Sequence, residues 1–200
     1  MFYLDKMTED KSGFNALSSS ADWTRWLVDT IPNGWDQDVE RRLVSNLKHT
    51  LVGLEMKAGL IQPQEDTRDT NASSVLFEPY FQVMTHEFCV GTVSVCEGLG
   101  SAIHLSTTGG DPTCRVMVKD WQDALVKYFD PTGKDGLAGN IARVKSIRDK
   151  MHQDTLGARE DIDWHEFGYE PAFIPAKQTL ECLLKTNAAS VPPKSNLQRR

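Results

Sequence analysis

Apolar residues recur at helical spacing along most of the chain, and the strict alternation of a half-buried strand is nearly absent. Trp23, Trp26, Leu27 and Ile31 mark a first short helix, with Ser20 or Asp22 as its cap and Pro32-Asn33-Gly34 as its stop. Val39, Leu43, Leu47, Leu51 and Leu54 step by four and three, which predicts a second helix from near Asp36 to about Leu60. The polar stretch from Gln62 to Ser73 has no period and reads as a surface loop. A third, long helix is expected from Ser74 to about Leu105, with Pro79 in its first turn and Phe81, Met84, Phe88, Val95, Leu99 and Ile103 on helical steps. Its glycines Gly91, Gly98 and Gly100 each cost about 1 kcal/mol relative to alanine, and they read as places where another helix comes close.

Ser106 to Pro112 has the composition of a turn. A fourth helix is expected from Pro112 to Phe129 with Val116, Leu125 and Tyr128 inward, broken by the segment Asp130 to Gly136. Leu137, Ile141, Val144, Ile147 and Met151 form the stripe of a fifth, which runs to near Asp154. An acidic, aromatic loop from Asp161 to Tyr169 precedes a last helix from Pro171 to Asn187. The expected fold is therefore all-α, a bundle of five to six helices. Residues 1–19 read as a flexible arm, 20–187 as one helical domain and 188–200 as a disordered tail. A chain of 200 residues buries roughly 70% of its unfolded surface, enough for a core without staples.

The net charge of −6 argues against a broadly basic surface that grips duplex DNA, but leaves room for a local basic site. No apolar run approaching the ~20 residues of a membrane span is evident, and the start carries acids rather than an apolar core of a signal. A cytoplasmic protein without membrane association is expected. Cys89, Cys96, Cys114 and Cys182 form no Cys-x-x-Cys pair and read as reduced structural thiols.

The window from Ile141 to Gly157 carries the most chemistry. Arg148 and His152 lie one helical turn apart on a face that flanks the apolar stripe. Arg143, Lys145, Arg148 and Lys150 crowd together with Asp149 as the acid among them, a basic island in an acidic chain. Arginine offers a donor fork to phosphate oxygens, and histidine exchanges protons near neutral pH. The pair has the means to activate a ribose hydroxyl and to stabilise charge on the adjacent phosphate without a metal or other cofactor. A structural reading stands beside it, because basic residues in a last turn also answer the helix dipole.

The segment Ile-Arg-Asp-Lys-Met-His-Gln-Asp (147–154), on the penultimate helix of an all-α bundle, resembles the signature of the HEPN superfamily. Members carry an Arg-x(4–6)-His motif in which a polar residue follows the arginine. The resemblance places Arg148 on the motif arginine, Asp149 on the polar residue and His152 on the histidine, with three residues between arginine and histidine here. It implies metal-independent RNA cleavage by a homodimer that brings two motifs together, a role in toxin–antitoxin systems or phage defence, and an antitoxin or other protein partner. Arg148, His152 and Asp149 are then the catalytic set, and Arg143, Lys145 and Lys150 bind the RNA backbone.

Two other classes remain open. One is a non-catalytic interaction or nucleotide-binding module that uses the basic island alone. The other is a metal-dependent bundle enzyme built on His49, His86 and His104, although no His-x-x-x-His or His-Glu-x-x-His spacing is present. Trp164-His165-Glu166-Phe167 reads as an anchor for its loop, or as a stacking platform folded over the Arg148/His152 rim.

Overall fold

Twenty-nine residues from Tyr80 to Thr108 form a helix that is apolar around most of its circumference, with an exposed stripe at Val83, Glu87, Ser94 and Glu97. Such a helix is stable only if other elements cover its apolar sides. The computed structural model describes residues 18–32, 34–61, 79–150, 163–185 and 190–198. Among these residues there are six α-helices and no strand: α1 (Ser20–Thr30), α2 (Gln37–Ile61), α3 (Tyr80–Thr108), α4 (Val118–Phe129), α5 (Leu137–Asp149) and α6 (Ile174–Leu183). A 3-10 turn at Trp164–Phe167 and one π-helical turn at Tyr169–Phe173 lead into α6. The all-α bundle expected from periodicity is the fold. Helix α3 lies at its centre against α2, α4, α5 and α6, while α1 packs on α2 as an outer layer. By length and composition alone α3 is also long and apolar enough to span a membrane. In this fold its Phe88, Cys89, Val95, Cys96 and Leu99 are core.

The glycines of α3 do what their placement suggested. A Cβ at Gly91 would stand 2.9 Å from Leu54 Cδ2, and one at Gly98 2.8 Å from Leu47 Cδ2. These are the ends of flexible side chains on α2. At Gly100 the obstacle is backbone: a Cβ would lie 2.4 Å from the carbonyl oxygen of Trp121 on α4. Trp121 is itself buried, so this crossing sets how closely α3 and α4 approach.

Element boundaries differ from expectation for local chemical reasons. Ser19, rather than Ser20 or Asp22, caps α1, its hydroxyl accepting from the Asp22 amide at 3.1 Å. Helix α3 continues to Thr108, where Gly109 turns left-handed at φ 68° and closes it. Helix α4 starts at Val118 rather than Pro112, because Asp111 accepts from the Thr113 amide at 2.8 Å and holds a turn there. Its buried face is Trp121 and Leu125, whereas Tyr128, expected inward, is 45% exposed. The carboxylate of Asp130, buried, receives the amides of Asp135 and Leu137 at 3.3 and 3.1 Å and fixes the entry into α5. The tail expected to be disordered is ordered from 190 to 198: Leu197 is fully buried and Gln198 Nε2 donates to the Leu184 carbonyl at 3.2 Å. The arm up to residue 17, the 62–73 loop and the stretch 151–162 lie outside the described residues.

A buried carboxylate ties the outer layer to Ser18 and, through Ser18, to Lys194. Glu55 of α2 accepts from the Ser18 amide at 2.9 Å and from Trp23 Nε1 at 3.2 Å. The single hydroxyl proton of Ser18 reaches both Glu55 Oε1 at 3.1 Å and the Lys194 carbonyl at 2.8 Å. Burial nonetheless raises the Glu55 carboxyl above its ordinary value of 4.5, outweighing the hydrogen bonds that pull it down.

Two outcomes are expected. Gly100→Ala forces a methyl onto a backbone oxygen, and overpacking of ~1–3 kcal/mol exceeds the ~1 kcal/mol that alanine returns in a helix. Gly98→Ala asks only for a shift of the Leu47 side chain and stays near wild type, so urea midpoints separate the two variants. Glu55 takes up a proton on folding between its ordinary and its raised pKa, so its contribution to stability is full below pH 4.5 and is lost as pH rises through the folded value. Glu55→Gln removes that fall, which urea titrations across mildly acidic to neutral pH would detect.

Candidate functional site

The stripe Leu137, Ile141, Val144 and Ile147 is buried and fixes the rotation of α5. Arg148 and Lys145 therefore emerge half-buried beside the seam, and Arg143 points outward. A basic last turn also suits the negative end of the helix dipole.

Acids answer most of the island. Asp149 takes the Lys145 ammonium on Oδ2, one turn away, and meets Arg148 through Oδ1, 2.7 Å from Nε. That second contact is an ion pair without good hydrogen-bond alignment; Nε is fully buried, so the exposed quarter of the Arg148 side chain lies elsewhere along it. The Lys150 ammonium pairs with Glu166 Oε2 across the chain. Arg143 Nε donates to the Pro171 carbonyl at 2.7 Å, and no acid among the described residues stands within ion-pair reach of it. Among the described residues, three of the four cations thus meet two carboxylates, and Arg143 meets a carbonyl. Pairs this exposed contribute about 0–1 kcal/mol each, so their main effect is to hold the end of α5 in place.

Of the residues singled out in the sequence, Arg148, Asp149, Lys145 and Lys150 come together at this end, while Arg143 faces the π-helical turn. His152 lies outside the described residues. Glu166 was noticed in the sequence only as part of an anchoring segment. Its pairing with Lys150 joins residues 16 positions apart, and no local spacing announces it. The anchor itself is Phe167, fully buried, with ring centroids 5.2 Å from Trp164 and 5.4 Å from His86. That contact brings α3 to the turn whose Glu166 holds α5.

Other candidate chemistry does not converge. Among the described residues no three His, Cys, Asp or Glu side chains gather as metal ligands. His49 is exposed, with Nδ1 2.6 Å from the Ser45 carbonyl, and His86 packs on Phe167. Burial pushes the Cys89 thiol up to about 12 and the Cys182 thiol up to about 11, away from the thiolate a nucleophile requires. Cys96 is shifted the same way, and all four cysteines are free. Comparison of the chain with family models, with curated proteins and with solved structures finds no match.

Asp149→Asn removes the acid shared by Lys145 and Arg148. Retention on a polyanion column is expected to rise, with a loss of about 1 kcal/mol or less in denaturant stability. Unchanged retention would mean that these cations are not available to an anionic ligand.

Proposed function

We propose that the protein is an HEPN-like helical domain that acts on RNA as a metal-independent endoribonuclease of toxin or phage-defence type. The observation that carries this reading is the contact between Arg148 and Asp149 at the edge of the bundle, on a helix whose apolar stripe fixes its rotation. In this reading the motif histidine is His152, four residues further along the sequence. His152 draws the proton from a ribose 2′-hydroxyl, whose oxygen attacks the adjacent phosphorus. The imidazolium so formed gives that proton to the 5′-oxygen as the P–O5′ bond breaks, leaving a cyclic phosphate end. Arg148 stabilises the charge that grows on the phosphate oxygens, Asp149 orients Arg148, and Arg143, Lys145 and Lys150 steer the RNA backbone. A homodimer places two such motifs side by side, in the cytoplasm, with a neutralising protein partner as the natural control.

A second reading, a non-catalytic interaction module, is favoured by the pairs that engage Lys145, Arg148 and Lys150 within the molecule. Purified wild type, His152→Ala and Arg148→Ala, assayed on a panel of RNAs with a chelator present, decide between them. The ribonuclease reading expects cleavage by wild type and a fall of about 10²–10⁴-fold in His152→Ala, the usual contribution of a general acid–base group. Equal cleavage by both removes His152 from the mechanism. No cleavage by folded wild type, with RNA binding that weakens in Arg148→Ala, supports the interaction module.

A further inference from the structure

We propose that the groove between α1 and α2 binds a small apolar molecule with one anionic head, of the size of a medium-chain carboxylate. The core face of α1 is Trp23, Trp26, Leu27 and Thr30. Thr24 and Val28 lie on a second stripe of the same helix, and with Ile31 just past its end and with α2 they wall a groove of about 430 Å³. That volume lies within the ~300–1,000 Å³ of small-molecule sites. Val28, in its wall, is 53% exposed.

The groove is polar at one end and apolar at the other. Residues 31–36 connect α1 to α2, and Trp23 near the start of α1 bonds Glu55 near the end of α2, so the two helices run antiparallel. Ile31 and Pro32 therefore line the end by the connection, Val28 and Val44 the middle, and Thr24, Ser45 and Lys48 the far end. The stripe on α2 from Gln37 to Lys48 spans about 16 Å at 1.5 Å per residue.

Charge selects the occupant. Glu40, in the wall, uses Oε1 to accept from the Trp35 amide at 3.2 Å, and Arg41 is met by Asp38 at 3.2 Å. Lys48 has no acid within ion-pair reach among the described residues, and the two hydroxyl-bearing side chains stand at its end of the groove. An anionic head at Lys48 gains a charge-assisted hydrogen bond, while an apolar chain laid over Val44 and Val28 toward Ile31 and Pro32 leaves water. A neutral apolar occupant leaves Lys48 unanswered.

The test is calorimetric titration of the full chain with decanoate below its micellar concentration, alongside decanol and acetate. Wild type is expected to take one decanoate saturably and to bind acetate no more than weakly. Lys48→Gln is expected to weaken decanoate about tenfold, the size of one charge-assisted contact, and to leave decanol unchanged. Val28→Asp, at an exposed position that the fold does not need, is expected to abolish both. Lys119→Gln on α4 serves as a charge-matched control that changes nothing. No saturable decanoate binding overturns the proposal, and so does binding that Lys48→Gln and Val28→Asp leave unaltered.

Discussion

Everything else in this bundle is arranged around α3, a helix that buries most of its circumference and leaves one narrow stripe, Val83, Glu87, Ser94 and Glu97, to solvent. Helix α3 carries core residues facing α2, α4, α5 and α6, and burial of that apolar surface is the dominant favourable term in its stability. The approach at Gly100 is the tightest of its crossings. A residue with any side chain there meets the Trp121 backbone, and backbone yields less readily than a rotamer. The crossing places α4, and α4 leads through the buried Asp130 into α5.

The end of α5 is held from two directions. Its own Asp149 gathers Lys145 and Arg148, and Glu166 of the following turn takes Lys150. That turn is fastened by Phe167, which reaches back to His86 on α3. The basic island is thus positioned by the same central helix that organises the core. Its charges are answered by Asp149 and Glu166, which keeps the helix end in place.

The outer layer follows a different logic. Helix α1 packs on α2, and Glu55 draws Ser18 and Trp23 together, with Ser18 carrying the link on to Lys194. A carboxylate in this position gathers donors from a segment 32 to 37 residues away in sequence, at the cost of its own desolvation. With the core faces of α1 and α2 occupied in this way, their second stripes are left facing one another across the groove that ends at Lys48.

Local spacing determined much of this protein. The periodic runs around Leu47, Leu51 and Leu54 and around Ile141, Val144 and Ile147 identify helices whose buried faces are the ones expected, because each apolar stripe must turn inward. The close approach at Gly91, Gly98 and Gly100 was legible for the same reason, since glycines inside a long apolar helix have few other uses. So was the crowding of Arg148, Asp149, Lys145 and Lys150, which one helical turn already brings together. What tertiary structure alone decided are the meetings between distant segments. Glu166 against Lys150, Glu55 against Ser18 and Trp23, and the burial of Leu197 in a polar tail all pair residues that no period relates. The face of α4 belongs with them: Trp121 is buried and Tyr128 exposed because the surface of α3 at Gly100 admits the backbone of α4 at that one level. Period tells which side of a helix is apolar; only the neighbouring helix decides how close it comes and which polar group it meets.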